Sequence, residues 1–254
     1  VKQLNVLLLG DDCIDVYAYG HVNRISPEAP VPIFELSNKE SKPGMSGNVF
    51  QNLLALECNV TWINGQSKST KTRFIDIRTG QQLLRMDEDF ISEPIDLPEE
   101  LFEQNFDCVV ISDYNKGSIT NDTFDKLLTI YHGPIFVDTK KTDLSHLDMI
   151  YPPSKIYIKI NELEHSKLQY KNARNLIVTL GKDGARYKDK IYSTPKVNVS
   201  DVCGAGDTHL SALAYMFCQT EDIEQSILWA NRAASITVQH LGVYAPTLEE
   251  INAT

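Results

Sequence analysis

No stretch of the 254-residue chain is apolar for long enough to cross a bilayer, and the N-terminal run NVLLLG is one strand long without the build of a signal peptide. Both absences predict a protein of the cytoplasm. Five cysteines (Cys13, Cys58, Cys108, Cys203, Cys218) are scattered, odd in number and never in C-x-x-C spacing, which suits a reducing compartment better than a disulfide scaffold. The six histidines form no H-x-x-x-H pattern and no Cys/His cluster, which speaks against structural zinc. Positive charge is scarce: 24 Lys and Arg stand against 34 Asp and Glu, a formal −10. With no basic run to receive a polyanion, neither a nucleic-acid nor a membrane partner is expected. The chain also lacks G-x-x-x-x-G-K-[ST], which disfavours a P-loop, and has no repeat, low-complexity segment or flexible linker.

What is present fits one large α/β domain over residues 1–254. The runs NVLLLGDD, DCVVISDY, GPIFVDTK, IYIKINELE and NLIVTLGKDG are continuous aliphatic segments ending in polar residues. They predict parallel strands covered on both faces, with ligand-binding groups delivered at their carboxyl ends. Helical spacing follows at Val49, Leu53 and Leu56, at Leu210, Leu213, Ala214 and Phe217, and from Ile223 to Leu241. Two segments differ. Residues 29–41 carry prolines at a strand entry, and residues 70–89 form two strand-like halves about Thr79-Gly80, so both are expected in a small antiparallel flap.

The stretch SDVCGAGDTHLSALAYMF carries the chemistry. At Gly204, Ala205 and Gly206 small residues let successive N–H groups converge, and the following helix adds the positive end of its dipole, which makes an anion site. A carboxylate at Asp207 would repel that anion unless it takes a proton from a hydroxyl attacking it, the arrangement of phosphoryl transfer. Taken alone, GAGD is equally a glycine turn whose aspartate opens a helix.

The segment DVCGAGDT resembles the D-x-x-G-A-G-D-T signature of the PfkB/ribokinase family of sugar kinases. Asn161-Glu-Leu-Glu164 and Thr179-Leu-Gly181-Lys-Asp-Gly184 match that family's N-x-x-E and T-L-G-x-x-G motifs in the same order. GDDCIDVYAYGHVNRISPEAPVPIFE, KPGMSGNVFQNLLAL, TKTR, QQLLRMD, ISDYNKG and VDTKKTD are similar to the heptose 7-phosphate kinases, the kinase part of ADP-heptose synthesis. The resemblance implies a three-layer ribokinase-like α/β fold with a mostly parallel central sheet and a small β flap, or lid. It also implies transfer of the ATP γ-phosphate to a sugar hydroxyl, with the C1 hydroxyl of D-glycero-D-manno-heptose 7-phosphate as first choice. Another sugar acceptor, and an idle sugar- or nucleotide-binding relative, are the alternatives.

By that resemblance Asp207 is the base and Gly204, Ala205 and Gly206 the anion hole. Asn161 and Glu164 organise Mg²⁺ through water, or cap a helix; Asp201 helps hold a monovalent cation such as K⁺, or anchors the turn. Thr179, Gly181, Gly184, Asn161 and Asn231 border ATP. Asp11 and Asp15, read as the end of the first strand, and Gly44 and Asn48, read as opening the next helix, meet the sugar. Lys71, Arg73 and Arg85 on the flap are the candidates for a distal phosphate, with Lys140 and Arg24 behind them.

The chain departs from the family pattern in several places. Met45 follows Gly44 where paired glycines are usual, Cys203 replaces Thr, and Val16 replaces a basic residue after Asp15. The stretch between TWINGQ and TKTR, and NELEHSKLQYKNARNLIVTL, are each shorter than usual by about a helix. The sheet surface so bared predicts a homo-oligomer, a dimer with the flap at its interface. The nucleotidyltransferase domain fused in some relatives is expected to be absent.

Overall fold

The chain is seen in a computed structural model that describes residues 2–65, 69–149, 156–169 and 173–253. The shortened connection at 66–68, and residues 170–172 of the second shortened stretch, lie outside the described residues.

Its main sheet is built from the apolar runs. Strands β1 (Asn5–Gly10), β4 (Asn59–Asn64), β7 (Cys108–Asp113), β8 (Ile135–Thr139), β9 (Ile156–Asn161), β10 (Leu176–Thr179), β11 (Ala185–Tyr187) and β12 (Lys190–Tyr192) stand in the order β12-β11-β10-β9-β8-β7-β1-β4. Pairing is parallel from β4 to β10 and antiparallel through the β10-β11-β12 meander. Period-two alternation sends Val6, Leu8, Val110 and Phe136 to one face and Leu7, Leu9, Val109 and Ile111 to the other, and both sets are buried. On the first face pack α1 (Ser46–Ala55), α5 (Ala205–Thr220) and α6 (Ile223–Thr237); the second is covered in part by α2 (Asn121–Ile130). Phe136 stacks on Tyr157 with centroids 5.4 Å apart and meets Phe217 of α5 at 5.5 Å, so aromatic contact ties that helix to the sheet. Short helices α3 (Ser145–Met149), α4 (Glu162–Lys167) and α7 (Leu248–Asn252) complete the chain.

The flap is a four-stranded sheet, larger than the two segments expected. It orders β3 (Pro32–Met45), β2 (Asp12–Ile25), β5 (Thr70–Asp76) and β6 (Gln82–Glu88) side by side. β2 was not anticipated, and it corrects the placement of Asp15, which lies on this flap strand and not at the end of β1. The reason is local: only Asp11 separates β1 from β2, so no turn residue announces the change of sheet. The β2–β5 pairing is parallel and the others antiparallel. The expected turn at Thr79-Gly80 joins β5 to β6, with Gly80 at φ +69° and the Asp76 carboxylate accepting from the amides of Arg78 (2.9 Å) and Thr79 (3.2 Å).

Candidate active site

Asp207 sits in the first turn of α5, and three elements meet on its carboxylate. Asn48 of α1 donates from Nδ2 to Asp207 Oδ2 at 2.7 Å, and the Tyr114 hydroxyl, just past β7, lies 3.3 Å from Oδ1. The N-cap of α5 is Gly204 at φ +80°, where a Cβ would come within 2.8 Å of the Asn48 amide. Glycine is therefore required twice, for its backbone conformation and for the close approach of the residue that holds the carboxylate. As at any helix start, the amides that follow have no acceptor one turn back within the helix. Beneath them Lys159, a buried lysine of β9, reaches Asp138 Oδ2 (2.5 Å) and the Gly206 carbonyl (3.1 Å).

Burial pushes the Asp207 carboxyl up to about 6; the Asn48 hydrogen bond opposes this, Asp138 adds to it, and Lys159 and Lys140 oppose it. For Asp138 burial also acts upward, but Lys159 and Lys140 outweigh it and hold that carboxyl below its usual range. Two carboxylates within one cluster are thus driven apart, one remaining ionised and one poised near neutrality. A carboxylate of that kind can accept a proton from an alcohol.

Two clefts flank the turn. One, of about 530 Å³, is lined by Thr179, Gly181, Gly184, Gly206, His209 and Asn231 among others. The second, of about 510 Å³, is lined by Tyr114, Lys140, Asn161, Gly204 and Asp207 among others and shares Thr179, Gly181 and Gly206 with the first. Each has the size of a small-molecule site.

Residues 158–251 match the pfkB family of carbohydrate kinases. The bifunctional protein HldE of Nitratiruptor sp. is 31% identical over 294 residues, covering 97% of this chain and 64% of its own length. HldE of Helicobacter pylori (strain HPAG1) is 29% identical over 97% of the chain and 65% of its own. The match to the pfkB carbohydrate kinases thus covers the C-terminal part of this chain, and the similarity to the HldE proteins runs along nearly all of it. The chain spans less than two thirds of those bifunctional relatives. Its fold is that of Escherichia coli phosphofructokinase-2 in complex with potassium (TM-score 0.73, 15% identity, 99% and 97% of the two chains). Arabidopsis thaliana ribokinase complexed with ribose and ATP is similar to the same degree (TM-score 0.71, 15% identity, 99% and 98%).

As in the pfkB signature, Asp201 precedes the turn. Its Oδ1 accepts from the Cys203 amide (3.0 Å) and its Oδ2 from the Gly242 amide (2.9 Å); burial acts upward on its pKa, but these amides and that of Val202 hold it low. Asn161 and Glu164 form a reciprocal capping box on α4, and the remaining Glu164 oxygen meets Lys140 Nζ at 2.5 Å. Among the described residues no group of three or more His, Cys, Asp or Glu side chains could hold a metal, so a magnesium ion here would depend on nucleotide phosphates and water. Thr179, Gly181 and Gly184, the residues expected beside a nucleotide, line the first cleft. Asn231 lines it too, but its amide is fully engaged, donating to the carbonyls of Tyr192 (2.7 Å) and Ser193 (3.2 Å).

On the sugar side the two aspartates part company. The Asp11 carboxylate accepts from Lys116 N (3.0 Å), Ser118 N (3.2 Å) and Ser118 Oγ (2.6 Å), which commits it to the 114–118 loop. Asp15 stands on the flap, paired with Arg73 at 2.5 Å, and a Cβ on Gly44 would strike its carboxylate. Gly44 itself belongs to the end of β3 and not to the helix that carries Asn48. Strand register puts Lys42, Asp15, Lys71 and Asp87 in one row across the flap and Glu40, Tyr17, Arg73 and Arg85 in the next, all on one face. That face looks toward the turn: Lys71 Nζ lies 5.5 Å from the Tyr114 ring centroid, with Lys140 at 5.2 Å from the same ring. Arg85 does not converge with them, being held by Asp87 through two bonds of 2.7 and 2.8 Å. Arg24 pairs with Glu35 at the exposed far end.

Tyr114, Asp138, Lys159 and Lys42 were not singled out from the sequence. Tyr114, Asp138 and Lys159 lie in the strand-end segments already read as ligand-delivering, and Lys159 is the single charge inside an otherwise apolar run. Lys42 lies one residue past the 29–41 segment expected in the flap.

A folded pKa raised above the unfolded value means that Asp207 favours the folded state fully at low pH and loses this contribution as pH rises through about 6. Asp207→Asn is therefore expected to be more stable than the parent at pH 7, on the order of 2 kcal/mol, with the gap closing toward pH 4. Urea titrations at both pH values test this, and a variant less stable at pH 7 contradicts it.

Proposed function

We propose that the chain is an ATP-dependent sugar kinase that phosphorylates a sugar phosphate, with the C1 hydroxyl of D-glycero-D-manno-heptose 7-phosphate as acceptor. The observation that carries the reading is Asp207: a buried carboxylate poised near neutrality, held by Asn48 and Tyr114 at the amide-lined start of α5. In the reaction the acceptor hydroxyl gives its proton to Asp207 while its oxygen bonds to the γ-phosphorus and the bond to the ADP oxygen breaks. The amides of the 204–207 turn and Lys159 offset the negative charge that builds on the phosphoryl group. Magnesium, when bound with ATP, would supply charge neutralisation for the phosphates, with Asn161 and Glu164 as the residues that would orient its waters. K⁺ at the Asp201 turn belongs to the same proposal.

The acceptor is inferred from the flap. Lys42, Lys71 and Arg73 share the face that looks onto the turn, and a phosphate carried by the sugar would find its counter-charge there. Asp15, beside them, can accept hydrogen bonds from the sugar hydroxyls. The similarity to HldE proteins over 97% of the chain supports the heptose assignment.

ADP release with Mg²⁺-ATP across a panel of sugars and sugar phosphates tests the whole reading. Turnover is expected with the heptose 7-phosphate, with kcat/KM falling below pH about 6, and Asp207→Asn should lose at least 100-fold in kcat while keeping ATP affinity. Turnover confined to unphosphorylated sugars would discard the acceptor and keep the kinase; silence with ATP still bound would leave a binding protein.

Glu164→Gln is expected to raise the Mg²⁺ concentration needed for half-maximal rate. An unchanged magnesium titration removes Glu164 from that role.

The opposite face of the flap carries Ile14, Leu84 and Met86, which are 47%, 60% and 44% exposed. These support a homodimer joined through the flap. Light scattering should give twice the chain mass, and a monodisperse monomer would contradict it.

A further inference from the structure

His209 lies two residues past Asp207 on α5, so it leaves the helix on the side away from the base and lines the first cleft with Asn231, Thr194 and Gly184. It is 3% exposed, and its Nδ1 has no hydrogen-bond partner among the described residues. Its other nitrogen, Nε2, is 3.2 Å from Asn231 Oδ1. The orientation of that amide is fixed by its own bonds, because Nδ2 donates to the carbonyls of Tyr192 and Ser193. The atom turned to the ring is therefore an oxygen, and Nε2 must carry the proton. Burial first, then the charge of Lys159, push the ring pKa down to about 3, so the imidazole is neutral at any working pH. A neutral ring with its proton on Nε2 presents a bare lone pair at Nδ1. Folded interiors rarely keep such an acceptor empty.

We infer that His209 Nδ1 accepts a hydrogen bond from the nucleoside part of the bound nucleotide, which makes His209 a specificity-determining residue for the phosphoryl donor. The inference rests on the kinase reading of this cleft. Ionised phosphates have only acceptors and cannot satisfy Nδ1, so the contact selects on the nucleoside and not on the triphosphate. Adenosine offers two kinds of donor, the 6-amino group of the base and the ribose hydroxyls.

The test is calorimetric binding of ATP, 2′-deoxy-ATP, 3′-deoxy-ATP and purine riboside triphosphate to the full chain, with sugar-dependent turnover measured on the same samples. The parent is expected to bind one analogue about tenfold more weakly than ATP, and the analogue that fails names the donor. His209→Phe should bind ATP and that analogue equally, whereas His209→Gln, which keeps an acceptor, should retain the preference. Equal affinity of the parent for all four nucleotides overturns the inference without any variant, and is the result expected if only water serves Nδ1. A preference that survives in His209→Phe overturns it as well. Failure to bind any nucleotide would sink the kinase reading itself, whereas binding and turnover without donor preference would sink only the role of His209.

Discussion

The structure turns on one costly placement, an ionisable carboxylate buried where three elements meet. The Asp207 carboxyl is buried, and its surroundings disfavour charge. Asn48 from α1 and Tyr114 from the end of β7 each give it a hydrogen bond, and Lys159 and Lys140 lie near enough to temper the burial. Much of the local chain is explained by making this possible. Gly204 clears space for Asn48, Gly206 lies against the Lys159 amino group, and Asp138 holds that lysine in place. The helix behind the turn is buried from Asp207 through Tyr215 and braced by Phe217 against Phe136, which makes the mount rigid.

The flap applies a different rule to the same chain. A strand period of two gives it one face rich in Lys, Arg and Asp and another with exposed Ile and Leu, so one short sheet can present charge toward the turn and apolar surface away from it. The cationic face is partly self-neutralised, Arg73 by Asp15 and Arg85 by Asp87. Lys42 and Lys71 instead lie against aromatic rings, 5.6 Å from the Tyr17 centroid and 5.5 Å from that of Tyr114.

The main sheet was legible because strands buried on both faces leave unbroken aliphatic runs, and the turn at 204–207 because its residue types have few other reasons to occur together. What the sequence concealed was pairing. Asp11 and Asp15 look alike on paper, four residues apart beside one strand. Yet the first is consumed by the amides of a loop more than a hundred residues away, and the second belongs to another sheet. Arg85 carries the same charge as Arg73 and stands opposite it, but its neighbour Asp87 takes its guanidinium. Lys159 lies inside an apolar strand run, and its burial beside Asp138 is a tertiary fact. Such partners are set by register and crossing order, which local composition does not encode.

Met45 joins the flap to the helix whose Asn48 holds Asp207. It is the last residue of β3 and the cap of α1, buried, at φ +53°, ψ −124°, a backbone region that glycine adopts easily and methionine does not. Ser46, next in line, donates its amide to the Asp11 carbonyl at 2.9 Å, and Asn48 follows within the same turn of helix. With β2 leaving β1 across one residue and β3 entering α1 across none, the small sheet has no slack tether on this side. The backbone that sets the tilt of this sheet therefore runs straight into the turn of α1 whose Asn48 amide holds the Asp207 carboxylate.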